Sequence, residues 1–305
     1  MKLIRPETVT DSVLQSSTVA ETDEAEWASG TTYADGDLVM VTGTGGGAAT
    51  ATHKIYESEV GSNVGNDPTI DDGTNWTEIS STNRFKMFDS VVQDQTTKAG
   101  GFNVVLQSPN VINSIGFVNV DTASITIEVV DSVEGTVYDE TFNMVSDSGI
   151  NDWYAYFFEP IVRDDRLAVT DLPPYASADI TVTFTDTGTA KCGACVIGSF
   201  ANLGLSQHGM NLSIIDYSTK TTDAQGRVTI TPGAFANKME VDVVLDTSTF
   251  KQVKDVLTDV RTTPCVYIAE DDNRGSIIYG YYREFDIILT NPTLSRCALE
   301  IEGLT

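Results

Sequence analysis

Ile125, Ile127 and Val129 alternate with Thr126, Glu128 and Val130, the period-two pattern of a strand with one buried face. Ile180, Val182 and Phe184 repeat it against Thr181, Thr183 and Thr185. Such a pattern commits these segments to sheets, because helical spacing would scatter the same apolar residues around the axis. Further runs rich in β-branched and aromatic residues lie at 104–106 before a Pro109 turn, at 115–120, from Val137 to Phe142, and at 196–198. The run Trp153-Tyr154-Ala155-Tyr156-Phe157-Phe158, closed by Pro160, reads as a dense aromatic strand packed into the core. Gly, Asn, Asp and Pro clusters separate these runs, and about eight strands of this kind suit a two-sheet sandwich or jelly roll.

The last third of the sequence differs. Phe250, Val253, Val256, Leu257 and Val260 fall on one helical face, with Ser248 or Thr249 available as cap and Pro264 as terminator, which predicts a helix over 249–261. Strand-like segments precede it at 213–215, 227–230 and 239–245, and others follow at 266–268, 277–281, 285–289 and 297–303. The expected fold class is therefore mainly β. It comprises an arm or edge strand (1–24), a small aromatic β module (25–80), a central sandwich (81–209) and a β-rich scaffold domain with one packed helix (210–305).

The small module holds two of the three tryptophans, Trp27 and Trp76, with Tyr33, Gly36-Asp37 and Tyr56 between them. A unit of this size has little core, so its aromatics either build that core, contact a ligand, or do both. Trp27, Tyr33, Tyr56 and Trp76 are the candidate carbohydrate-binding residues. An exposed ring offers a sugar a flat apolar face, and such contacts gain strength from many copies. The Gly43-Thr44-Gly45-Gly46-Gly47 stretch is a loop of this module; no Gly-Lys-Ser/Thr follows it, so it is not a phosphate cradle.

Charge narrows the partners. Asp and Glu number 44 against 18 Lys and Arg, a net charge of −26. No basic cluster is present to displace counterions from a nucleic-acid backbone, and an anionic lipid surface would repel the chain. No apolar run is long enough to span a bilayer, and Met1-Lys2-Leu3-Ile4-Arg5-Pro6 lacks the hydrophobic stretch of a secretory signal. The expectation is synthesis in the cytoplasm without membrane insertion.

Catalytic and metal chemistry find little purchase. Cys192 and Cys195 form one C-x-x-C, while Cys265 and Cys297 stand alone. A zinc site would require the pairs to converge or a histidine to assist; small buried hydrophobes are the alternative. His53 and His208 have no nucleophile nearby in sequence, and there is no G-x-S-x-G elbow. Asp71-Asp72, Asp164-Asp165 and Asp271-Asp272 are pairs expected by chance in so acidic a chain. Calcium takes loop oxygens of this kind, but no D-x-D-x-D-G run assigns a site. The expectation is a non-enzymatic protein with no assigned cofactor.

The Trp27–Tyr33–Trp76 order resembles chitin-binding modules of type 5/12, which open on Trp, place Tyr six residues on and close on a second Trp. In those modules some of the aromatics are core and others contact polysaccharide. Lys2-Leu3-Ile4-Arg5-Pro6, Asn83-Arg84-Phe85-Lys86-Met87-Phe88-Asp89, Asp152-Trp153-Tyr154, Thr170-Asp171-Leu172-Pro173-Pro174, Ile214-Ile215-Asp216-Tyr217-Ser218 and Tyr279-Gly280-Tyr281-Tyr282-Arg283 extend the likeness over nearly the whole chain. Together with Leu299-Glu300-Ile301-Glu302-Gly303 they resemble a family of tailed-bacteriophage virion proteins labelled as tail or carbohydrate-binding proteins. The strand–helix–strand order after residue 210 is also similar to the tube-type domain of phage distal tail proteins. These resemblances imply a structural protein of the tail, neck or baseplate. Its implied partners are copies of itself in a ring, other virion proteins and a host-surface glycan. A free carbohydrate-binding protein, or a non-catalytic subunit acting on cell-surface polysaccharide, is the alternative they leave open.

Overall fold

The computed structural model describes residues 1–145, 152–158, 162–271, 273–289 and 292–304. Pro160 and Asp272 lie outside them. The chain is mainly β, with a few short helices. Its largest element is an eleven-stranded sheet, and the strand at the middle of that sheet is Lys2–Pro6. This strand pairs antiparallel with Thr189–Asn202 on one side and with Cys265–Ile268 on the other. The expected arm or edge strand is thus an interior strand. Its alternation explains the change: Leu3 and Ile4 are both fully buried, on opposite faces, and each feeds a different core.

On one side of this strand the sheet continues through Thr189–Asn202 and Ser114–Asp121 to Arg166–Val169. A five-stranded sheet faces this half, ordered Gly135–Asn143, Ser124–Asp131, Asp179–Thr185, Phe102–Leu106 and Leu14–Ser17. The alternating residues read from sequence point between the two layers. Ile125, Ile127, Ile180, Val182 and Phe184 meet Ile115, Phe117 and Ile197 there. Phe184 stacks on Phe102 at 4.4 Å and meets Phe117 edge-on at 5.6 Å, tying the layers together. These two layers form a sandwich, with a strand borrowed from the N-terminal segment.

On the other side the sheet runs through Cys265–Ile268, Ile277–Ile288 and Leu294–Gly303 to Phe235–Asp246. The helix Phe250–Asp259 packs Val253 and Leu257 onto a core that includes Leu3, Met239, Val243 and Tyr267. Two strands expected at 277–281 and 285–289 form one, because a bulge between Tyr282 and Glu284 lets the chain continue in the same ladder. Thr249 occupies the cap position of the helix without a side-chain capping bond; Asp246 caps the 3-10 turn Thr247–Thr249 that leads into it, accepting the Ser248 N–H at 2.8 Å. The composition boundary near residue 210 is therefore no boundary in hydrogen bonding, since one ladder crosses it through Lys2–Pro6.

The expected aromatic strand is a helix, Trp153–Phe158. Val145 bridges to Arg163, and the helix between these positions, Trp153–Phe158, joins no strand ladder. Local hydrogen bonds are what remain available to such a segment. Its base is firmly held: Arg163 contacts Asp121 and Asp186, each at 2.7 Å, and Arg274 contacts Asp164 at 2.7 Å.

Candidate functional site

The small module consists of Leu38–Val41, Lys54–Ser58 and Trp76–Ser81 in one sheet and a short Thr32–Tyr33 and Asn63–Val64 pair beside it. Its four candidate aromatics come together, but inward. Trp27 is 2% exposed, Trp76 3%, Tyr56 6% and Tyr33 8%. With Val39, Val41 and Ala48 they are the module's whole buried cluster. Trp76 donates its indole N–H to the Asn66 carbonyl at 2.9 Å, and its ring meets Tyr33 edge-on at 5.2 Å. The Tyr33 hydroxyl accepts the Ala28 N–H at 2.8 Å. The reading of Trp27, Tyr33, Tyr56 and Trp76 as carbohydrate-stacking rings is corrected accordingly. A module this small needs all four to exclude water, which leaves no ring face for a sugar.

The exposed aromatics lie elsewhere. Trp153, Tyr154, Phe157 and Phe158 are between 67% and 78% exposed on their short helix. Trp153 stacks against Phe157 with rings tilted by 23°, and Tyr154 lies 5.0 Å from Phe158. These i, i+4 pairs share one helical face. Aromatic density is a strand signal, yet these four side chains lie on a short helix and face outward.

A second exposed surface is the ribbon of Thr219–Thr222 with Val228–Thr231, carried by the edge strand Asn211–Asp216. All eight residues of the ribbon are exposed. Ile214, Val228, Ile230 and Phe235 expose between 52% and 65% of their surface. Across 211–235 two acids, Asp216 and Asp223, balance two bases, Lys220 and Arg227. A neutral, apolar-studded arm in a chain of net charge −26 is the part of the surface that least repels another copy.

His53 and the cysteines are the titratable groups that the sequence singles out. His53 sits at the module's edge, 12% exposed, with Nδ1 2.8 Å from Glu21 Oε1 and Nε2 2.7 Å from Asp11 Oδ1. Nδ1 is hydrogen-bonded to Glu21, while Nε2 is within ion-pair distance of Asp11 but buried without a well-aligned hydrogen bond. His208 lines a shallow surface cavity with Gln207, Met210 and Asp271. All four cysteines are buried free thiols. Cys192 and Cys195 belong to the sandwich core, Cys265 and Cys297 to the helix-bearing core, so the two pairs do not converge. Burial raises each thiol, Cys265 to about 12 and Cys297 to about 11. Among the described residues no three His, Cys, Asp or Glu side chains gather as metal ligands would. No helix among them is long and apolar enough to cross a membrane.

A cavity of about 460 Å³ lies beside the base of the ribbon, between Val118, Arg166, Phe235 and Tyr279. Two of its polar side chains are engaged with backbone carbonyls. Arg166 donates to the Ile277 carbonyl at 2.7 Å, and Asn119 to that of Val92 at 2.7 Å. No protein-family model and no curated protein matches this chain.

Proposed function

We propose that the protein is a structural component of a tailed-phage particle, a ring or adaptor subunit of the tail, neck or baseplate that makes and breaks no bond. The observation that carries the reading is the ribbon at 219–231. Two strands alone are marginally stable in water, and this pair exposes Val228 and Ile230 without burying any of its own residues. A neighbouring copy that covers it would stabilise both. If the ribbon meets a different surface of the neighbouring copy, the contact is heterologous, and such contacts generate rings when the rotation between subunits closes. Light scattering of the purified chain, together with mass spectrometry of purified infectious particles, tests this. A closed oligomer and a virion constituent are expected. A strict monomer that is absent from particles would overturn it.

The exposed Trp153–Phe158 helix favours a second reading, attachment to a cell-surface glycan. Ring copies would multiply weak stacking contacts, and a glycan array probed with the assembled protein and with W153A separates it from the first.

A further inference from the structure

His53 is where the small module meets the body of the protein. The module has its own buried cluster, separate from the sandwich core. His53 crosses that divide: its ring stacks on Phe85 of the sandwich at 4.0 Å, and its carbonyl accepts the Thr82 N–H at 2.8 Å. Asp11 and Glu21, which bracket the ring, belong to the N-terminal segment that feeds the sandwich. Glu21 is held in turn by the Thr82 hydroxyl at 2.6 Å and by Arg84 at 3.0 Å.

The charge state of the ring decides whether this arrangement holds. An imidazolium has two N–H groups and can serve both carboxylates; a neutral ring has one, and must turn a lone pair towards the other. At 2.7–2.8 Å that encounter is repulsive. The backbone is also strained there, since His53 has φ of 54°. A cavity of about 400 Å³, lined by Val9, Thr10, Ser12, Thr52 and Phe85, adjoins the ring and gives it room to leave.

We propose that His53 is a proton-operated latch that fixes the small module against the sandwich while the ring is charged and lets it swing about the chain crossings near 24 and 82 when the proton is lost. The groups facing His53 are Asp11 and Glu21, which favour its charge, and Arg84, which opposes it. Burial lowers the His53 pKa, but the hydrogen bonds and charges of Glu21 and Asp11 outweigh this and leave it raised. Burial raises that of Glu21, and the bonds from His53 and Thr82 with the neighbouring cations bring it below its ordinary value. For His53, the latch is fully set below the unfolded imidazole pKa and lost as pH rises through the raised one. For Glu21, it is present above the ordinary carboxylate pKa and lost as pH falls through the lowered one. The latch therefore holds between these limits and opens on the alkaline side.

Spin labels placed by Ile70→Cys on the module and Val133→Cys on the sandwich read the motion, because both sites are exposed and the native thiols are buried. A single narrow distance distribution is expected at about pH 6, broadening by about pH 9, a span that brackets a raised imidazole pKa. His53→Asn, which accepts positive φ, should give the broad distribution throughout. Asp11→Asn, at an exposed position, should move the transition to lower pH. An unchanged distribution across the range, an H53N protein that keeps the transition, or a D11N protein whose transition coincides with wild type would each overturn the latch.

Discussion

Gly198 lies against the backbone of Arg5, where a Cβ would fall inside the van der Waals envelope of the Arg5 carbonyl oxygen. This contact seats the middle strand of the large sheet, in register Arg5 with Ser199 and Pro6 with Gly198. Gly198→Ala should cost about 1–3 kcal/mol or more through overpacking, seen as a lowered urea midpoint. Gly61→Ala, with nothing near its Cβ position, should stay within about 0.5 kcal/mol.

Trp76→Ala removes a ring that is 3% exposed and the partner of the Asn66 carbonyl. A loss of about 3–5 kcal/mol is expected for a buried aromatic, enough to unfold a module with so small a core. Limited proteolysis should cut within 25–80 while the sandwich, whose core is separate, keeps its own thermal transition. A folded W76A module would show that the ring carries little of the core.

Ile230→Asp places a charge on a side chain that is 58% exposed. Stability should change by less than about 0.5 kcal/mol, while self-association, measured by light scattering, should be lost. Retained assembly would move the subunit contact away from the ribbon.

Asp186 is buried and accepts the Gly188 N–H and the Arg163 guanidinium, each at 2.7 Å. The Gly188 bond pulls its carboxyl below the usual range; burial opposes this, and Arg163 adds to the lowering. The resulting stability is present above the unfolded carboxylate pKa and is lost as pH falls through the lowered folded value. Asp186→Asn should cost about 1–3 kcal/mol at neutral pH and flatten the acid limb of stability against pH, measured by urea unfolding at several pH values.

The sheets were legible because alternation at 125–129 and 180–184 reports burial directly, and the helix face of Val253 and Leu257 does the same at helical spacing. What the sequence withheld was non-local. Lys2–Pro6 is too short to declare an interior position, which depends on two strands far along the chain. Trp153–Phe158 has strand composition but forms a helix that joins no ladder. The four module aromatics share one buried cluster, but exposure is a property of packing that residue type does not encode. Nor could spacing reveal that Asp11, Glu21 and Phe85 would surround His53, since three separate segments supply them.

The placement of Lys2–Pro6 between Thr189–Asn202 and Cys265–Ile268 sets an order of events during synthesis. Lys2–Pro6 is translated well before Cys265–Ile268 and must wait for it, tens of seconds at about 5–20 residues per second. The sandwich can close on the ribosome once residue 202 has emerged, presenting Leu3 and Ile4 on a raw strand margin. Until Cys265–Ile268 arrives to cover it, that margin is the nascent chain's point of greatest exposure to misassociation, and a chaperone that shields it would raise the yield of folded protein.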